Sequence, residues 1–311
     1  MLGIYSLVLY GLKSKKFLNK NYFTFFSKEG SILFNNIVVI VVCATVFLGT
    51  LYPLLVEIFT NNKISVGEPY FNSTAVPIML PAILVMGIGP ILAWGKEDKI
   101  IFFKKISPIF LFSILVTFLF FLNYKSYSAI GIVGIFLSFW IILNNLLILI
   151  RKIKKNLLGM VVAHLGIGVL ILGITGSSIW QIEKIIKMKI KNEIQIQEYS
   201  VVFNNITEIK GPNYVALQGI FTVYDDQKNV ITKLTPENRF YPITKIFTTE
   251  ASIHTNLFRD LYIVLGKGNL SDGWIVKIYH NPLVIWIWIG SLTIFLGGMI
   301  SMKHNMKKII K

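Results

Sequence analysis

One histidine lies where an ionisable group is costly. His164 is the only ionisable residue in the stretch Gly159 to Ser178, GMVVAHLGIGVLILGITGSS. Twenty residues rising about 1.5 Å each cover about 30 Å, the hydrocarbon thickness of a bilayer. An imidazole in such a place has two uses: a hydrogen bond to a neighbouring helix, or axial ligation of a haem iron. On a helical wheel Gly159, Ala163, Gly166 and Gly173 form a stripe of small residues, a surface for close helix packing. His164 lies away from that stripe, in line with Gly168, Ile171 and Thr175. Gly168, one turn later, leaves space for a large flat ligand against the helix. Spacing alone leaves both uses open.

The other chemistry-bearing residues are sparse. Cys43 is the single cysteine, so a disulfide framework, a CxxC redox pair or a multi-thiolate metal site within the chain is excluded. No P-loop, zinc cluster, paired carboxylates or Ser/His/Asp arrangement occurs, and no residue is placed to carry covalent chemistry by itself. His254, His280 and His304 read as surface histidines. Helical rise puts His164 about 10 Å inside the inner end of its helix, with His280 at the opposite face, too far for one shared iron. Glu57 reads as a solvated interfacial carboxylate. Asn35–Asn36 and Asn144–Asn145 read as interhelical hydrogen bonds worth about 1 kcal/mol each. The string Arg239-Phe240-Tyr241-Pro242 reads as structural or as a docking element.

The elements that must position these residues are membrane helices. The chain has 311 residues, 54% hydrophobic and 15% charged, with a mean hydropathy of +0.65. That composition predicts a polytopic α-helical membrane protein. Spans are expected near 32–56, 74–94, 106–123, 129–150, 158–180 and 282–302. Met1 to Leu12 is apolar but reaches only about 18 Å, a partial helix. Its lysines follow the apolar run, which excludes a secretory signal.

Charge sets the orientation. Segments 13–31, 95–105, 151–157 and 303–311 carry 5, 4, 4 and 4 Lys or Arg, against one each in 57–73 and 124–128. Lysine-rich loops stay inside, so the six spans take one consistent topology. The segment 181–281 holds 12 basic and 10 acidic residues. The net charge of +16 is therefore an orientation signal, and a nucleic-acid partner is excluded. Segment 181–281 faces outward and alternates apolar residues in short runs, EIQIQEYSVVF, NYVALQGIFTVYD and LYIVLG, between turn signals. It is expected to form a small antiparallel β domain. The domains are then 1–180 (the partial helix plus five spans), 181–281 (the β domain) and 282–311 (the last span and a basic tail). Trp180, Tyr279, Trp286 and Trp288 fall near the outer interface, where they read mainly as anchors.

Nine segments in order resemble the CcmF family, the haem lyase component of system I cytochrome c maturation. They are SKEGSILFNN, GTLYPLLVE, KISVGEPYFN, MGIGPILAW, AHLGIGVLILG, GPNYVA, NRFYP…TTEASI, RDLYIVLG and YHNPLVIWIWIG…GG. The resemblance covers only the family's C-terminal half. The Trp-rich WWD loop and its flanking histidines have no counterpart here. Of the two membrane histidines that hold the family's b haem, one matches His164 and the other is missing. The resemblance implies a split form, with Met1–Leu12 as the tail of a divided helix. It implies a subunit of the cytochrome c haem lyase complex that contributes His164 to haem b and contains no complete active site. The implied partners are an N-terminal CcmF piece carrying the WWD motif, a CcmE-type haem chaperone, a CcmH-type protein and apocytochrome c. Quinol is the implied electron source. The implied location is the mitochondrial inner membrane or the bacterial inner membrane, with the β domain in the intermembrane space or periplasm. The alternative is a scaffold or permease-like assembly factor that binds no haem, with His164 a packing residue.

Overall fold

The computed structural model describes residues 2–13, 24–96, 98–122, 128–150 and 157–309. Seven α-helices and ten β-strands occur among them, and six of the helices are long and apolar enough to cross a membrane. The residues divide into two compact units, Met1–Phe112 and Ser113–Lys311.

The first unit contains α1 (Leu2–Lys13), α2 (Lys28–Thr60), α3 (Glu68–Ile88) and the start of α4 (Lys99–Phe121). The helix α2 begins earlier than its apolar run because its first turn is capped. The Ser27 hydroxyl accepts from Gly30 N at 3.1 Å, and the Glu29 carboxylate accepts from Gly95 N at 2.9 and 3.0 Å. Lys28 N donates to Ala93 O, so the SKEG string and the Ala93–Gly95 segment fold as one corner. Pro69 in the first turn starts α3 before its apolar run. Gly89-Pro90 then tightens its end into a 3₁₀ turn.

The second unit holds the rest of α4 with α5 (Ala129–Ile150), α6 (Leu158–Ile179), the β domain and α7 (Val284–Ile309). Segments 14–23, 123–127 and 151–156, which hold much of the expected basic and outer loops, lie outside the described residues. So does the His304 side chain.

The β domain is antiparallel, as its alternation predicts, and its strands divide into two sheets as a curled sandwich. One sheet has the order β1–β10–β9–β8, with β1 Ile182–Met188, β8 Ser252–Thr255, β9 Arg259–Asn269 and β10 Gly273–Pro282. The other runs β2–β3–β4–β6–β7: Glu193–Ile196, Tyr199–Lys210, Val215–Tyr224, Glu237–Tyr241 and Ile246–Glu250. Strand β5 (Val230–Leu234) pairs beside β4. Alternate residues of β9 and β10 turn inward, so Leu261, Ile263, Leu265, Val276 and Ile278 are fully buried. Phe203 stacks on Phe221 at 4.5 Å and meets Trp274 edge-on, filling the space between the sheets.

Candidate functional site

His164 sits on the second turn of α6, half-buried. Its Nδ1 lies 2.8 Å from the carbonyl oxygen of Met160, one turn back on its own helix. A carbonyl can only accept, so Nδ1 carries the proton and Nε2 keeps its lone pair. Among the described residues Nε2 has no hydrogen-bond partner. Metal-ligating histidines are oriented in this way, with the other ring nitrogen donating to a backbone carbonyl. Among the described membrane residues the arrangement fits one axial imidazole, that of His164. No group of three or more metal-ligating side chains occurs among the described residues.

The helix that carries the ring is held by two close packings. Gly159, Gly166 and Gly173, spaced by seven, lie against α7. An added Cβ would stand 2.6 Å from Ser301 N, Ile294 N and Ile287 N respectively. On α7, Gly290 and Gly297 return the contact, facing Leu170 and Ala163. A seven-residue repeat keeps one seam facing its partner when two helices coil gently together. The small-residue stripe is therefore the α6–α7 interface.

Gly168 departs from expectation. A Cβ there would meet Ile142 at 2.6 Å, and its carbonyl accepts from Ser138 Oγ at 2.8 Å. Helix α5 fills the space read from the wheel as a ligand cradle. Gly134 of α5 packs likewise on Thr175. A wheel assigns a face; it cannot say what covers that face.

Other expectations change as well. Asn144 and Asn145 are fully buried, but their amides donate to Trp140 O and Ile141 O of their own helix, at 2.7 and 2.9 Å. A side-chain amide can reach the carbonyl one turn back, so these pairs are not interhelical. Trp180 is buried against Phe120, Phe121 and Leu283, and the Trp286 indole donates to Leu257 O at 2.7 Å. Of the four interface aromatics Trp288 is the exposed one. Glu57 is exposed and reaches Lys63 at 3.8 Å. Arg239 bonds Glu237 at 2.8 Å, reaches Glu250 at 3.5 Å and covers the Tyr214 ring, so the RFYP string ties β4, β6 and β7 together.

Of the two outer histidines, His254 is partly exposed and His280 is buried. His280 is 9% exposed and stacks on Tyr199, with ring centroids 5.9 Å apart. His254 Nδ1 accepts from Arg259 Nη1 at 2.9 Å. The guanidinium lies 4.3 Å from the Tyr199 ring centre. Burial, above all, holds both imidazoles below the ordinary histidine pKa. Arg259 and Tyr199 escaped the sequence reading. The signal was present: Arg259 shares the inward parity of Leu261, Ile263 and Leu265 in RDLYIVLG.

A family model described as the CcmF C-terminal beta-sandwich matches residues 179–282. Over 96% of its length the chain is 31% identical to the cytochrome c-type biogenesis protein CcmF of Haemophilus influenzae. Over 95% it is 32% identical to the Escherichia coli protein of that name. The chain is the counterpart of the C-terminal part of CcmF. It spans about half the length of these curated relatives, 48% and 46%, and corresponds to the C-terminal half of CcmF. The fold of a solved CcmF, the cytochrome c haem lyase, superposes with a TM-score of 0.70 at 20% identity. That match covers 89% of this chain and 46% of the other. The CcmF sandwich coincides with β1 to β10, and the membrane helices on either side of it are α6 and α7.

Proposed function

We propose that this chain supplies the Nε2 of His164 as one axial ligand of a b-type haem in a cytochrome c haem lyase, and that its sandwich organises partners on the outer face. The observation that carries the reading is the ring's committed Nδ1 proton, which leaves the coordinating nitrogen preset inside a membrane helix. The haem, when bound, supplies the one-electron transfer that keeps the haem undergoing attachment ferrous, with quinol as the source. The chain's own contribution is positional: Met160 O holds the ring, and the glycine seam and α5 hold the helix that bears it. The second imidazole is expected from a partner chain, because His254, His280 and His304 all lie outside the expected membrane spans. The CcmE-type chaperone, a CcmH-type protein, apocytochrome c and the WWD-bearing half of CcmF are the partners. The membrane is a bacterial or mitochondrial inner membrane, and the lysine asymmetry supports an outward-facing sandwich.

Two results test this. Purified alone in detergent with added haem, the chain is expected to show no stoichiometric low-spin b spectrum, since one imidazole cannot make a bis-histidine centre. A full bis-histidine spectrum, with pyridine haemochrome confirming the stoichiometry, would overturn the shared-ligand reading. In a Cys43→Ser background, Asn269→Cys is expected to react with an impermeant maleimide from the outer face only. Labelling from the inner face would reverse the topology.

A further inference from the structure

Where β9 begins, the sandwich contains a buried cation that no carboxylate pairs with directly, although Glu198 and Asp260 act electrostatically on its neighbours Tyr199, His280 and His254. Arg259 is 3% exposed, yet no carboxylate comes within ion-pair distance of it among the described residues. Its Nη1 donates to His254 Nδ1 and, at 3.3 Å, to His254 O, while its buried Nε has no partner. Nearby, stacked on Tyr199, buried His280 also has an Nδ1 without a partner. Charged side chains are almost never fully buried unless paired, and an unmet buried donor carries its whole desolvation cost. A second neutral neighbour does not relieve that cost; an anion does.

The position says what kind of anion. The two residues before Arg259 are Leu257 and Phe258, 57% and 74% exposed. Both are fastened to the start of α7: Leu283 N donates to Phe258 O at 2.9 Å and Trp286 Nε1 to Leu257 O at 2.7 Å. An exposed apolar lip thus lies where α7 leaves the sandwich for the bilayer, one residue from a buried guanidinium. Tyr199, the cover over Arg259, is itself half-buried and is the first residue of β3, after the Gln197–Glu198 turn. It is the side chain that must turn aside.

We propose that Arg259, with His280 and His254, forms a binding site for the carboxylate or phosphate of an anionic amphiphile. The apolar body of that amphiphile rests on Leu257 and Phe258 in the adjoining leaflet. A porphyrin propionate and a phospholipid headgroup share this chemistry. A planar guanidinium pairs with either in bidentate fashion.

The test uses the full chain in nanodiscs of neutral phosphatidylcholine, with empty nanodiscs subtracted. The probe is metal-free protoporphyrin IX, compared with its dimethyl ester. A metal-free ring takes no axial ligand, so failure here leaves the His164 reading untouched. Wild type is expected to bind the free acid about ten- to hundredfold more tightly than the ester, the range for a charged hydrogen-bonded pair. Arg259→Gln is expected to abolish that difference. If a phospholipid is the occupant, phosphatidylglycerol in the nanodisc instead copurifies with wild type, competes with the porphyrin, and is lost in Arg259→Gln. His280→Gln, which keeps the arginine, serves if Arg259→Gln fails to fold, and is expected to weaken either probe several-fold. Equal binding of acid and ester, with no enrichment of phosphatidylglycerol, would overturn the proposal on wild type alone.

Discussion

His164→Gly is expected to strip the assembled lyase of its b haem. Removing the imidazole deletes one of two iron–nitrogen bonds. A dithionite-reduced spectrum normalised to protein should then fall close to baseline, and cytochrome c maturation with it. The fold should tolerate the change. The ring's one hydrogen bond among the described residues is to Met160 O, a carbonyl inside the helix and close to its backbone partner. Loss of the side chain leaves no orphaned donor, so protein levels should stay near wild type. Free imidazole can enter the space left behind and ligate without a tether, and is expected to restore part of both signals. A packing histidine predicts the reverse: a stability loss of about 1–3 kcal/mol, lower protein levels and no rescue. Unchanged haem content in His164→Gly would remove the residue from the site.

Adjacent glycines on α7 should respond in opposite ways. A Cβ on Gly297 would stand 2.7 Å from Gly159 O and closer still to Ala163 N, both backbone atoms that cannot swing away. A Cβ on Gly298 meets nothing within 4 Å. Gly297→Ala is therefore expected to force α6 and α7 apart and to destabilise the chain by about 2–3 kcal/mol, the scale of overpacking. Gly298→Ala should be neutral, or slightly stabilising through helix propensity. Reversible unfolding of the purified chain, in a detergent series, measures both. Equal midpoints for the two variants would mean that the seam does not hold the pair.

The membrane helices and the sandwich were legible because each depends on a periodicity that survives in one dimension. Apolar runs of about twenty residues mark spans, and strict alternation in LYIVLG marks a strand with one buried face. Helix ends were less legible. The starts of α2 and α3 depend on the Ser27 cap and on Pro69, which extend the helices past the apolar run. The errors at Gly168, at Asn144–Asn145 and at His280 have a common origin. Each depended on a neighbour brought by folding: α5 over Gly168, a carbonyl one turn away for the amides, and Tyr199 from the opposite sheet for His280. The small-residue stripe was readable for the opposite reason, because an absent side chain shows in the sequence wherever its partner lies.

The strand β1 follows α6 and β10 leads into α7, and the two strands pair antiparallel from Ile182 with His280 to Met188 with Trp274. That pairing continues the antiparallel contact of Gly173 with Ile287, Gly166 with Ile294 and Gly159 with Ser301. Membrane and sandwich are thus joined by a two-legged strut, zipped by glycines below and by strand hydrogen bonds above. Neither leg can slide without breaking the other's register, since a one-residue slip turns every strand side chain to the wrong face. A load applied to the sandwich by a docking protein would pass down this strut as tilt or twist of a stiff body. It would therefore reach the His164 ring as a change of aim, not of depth.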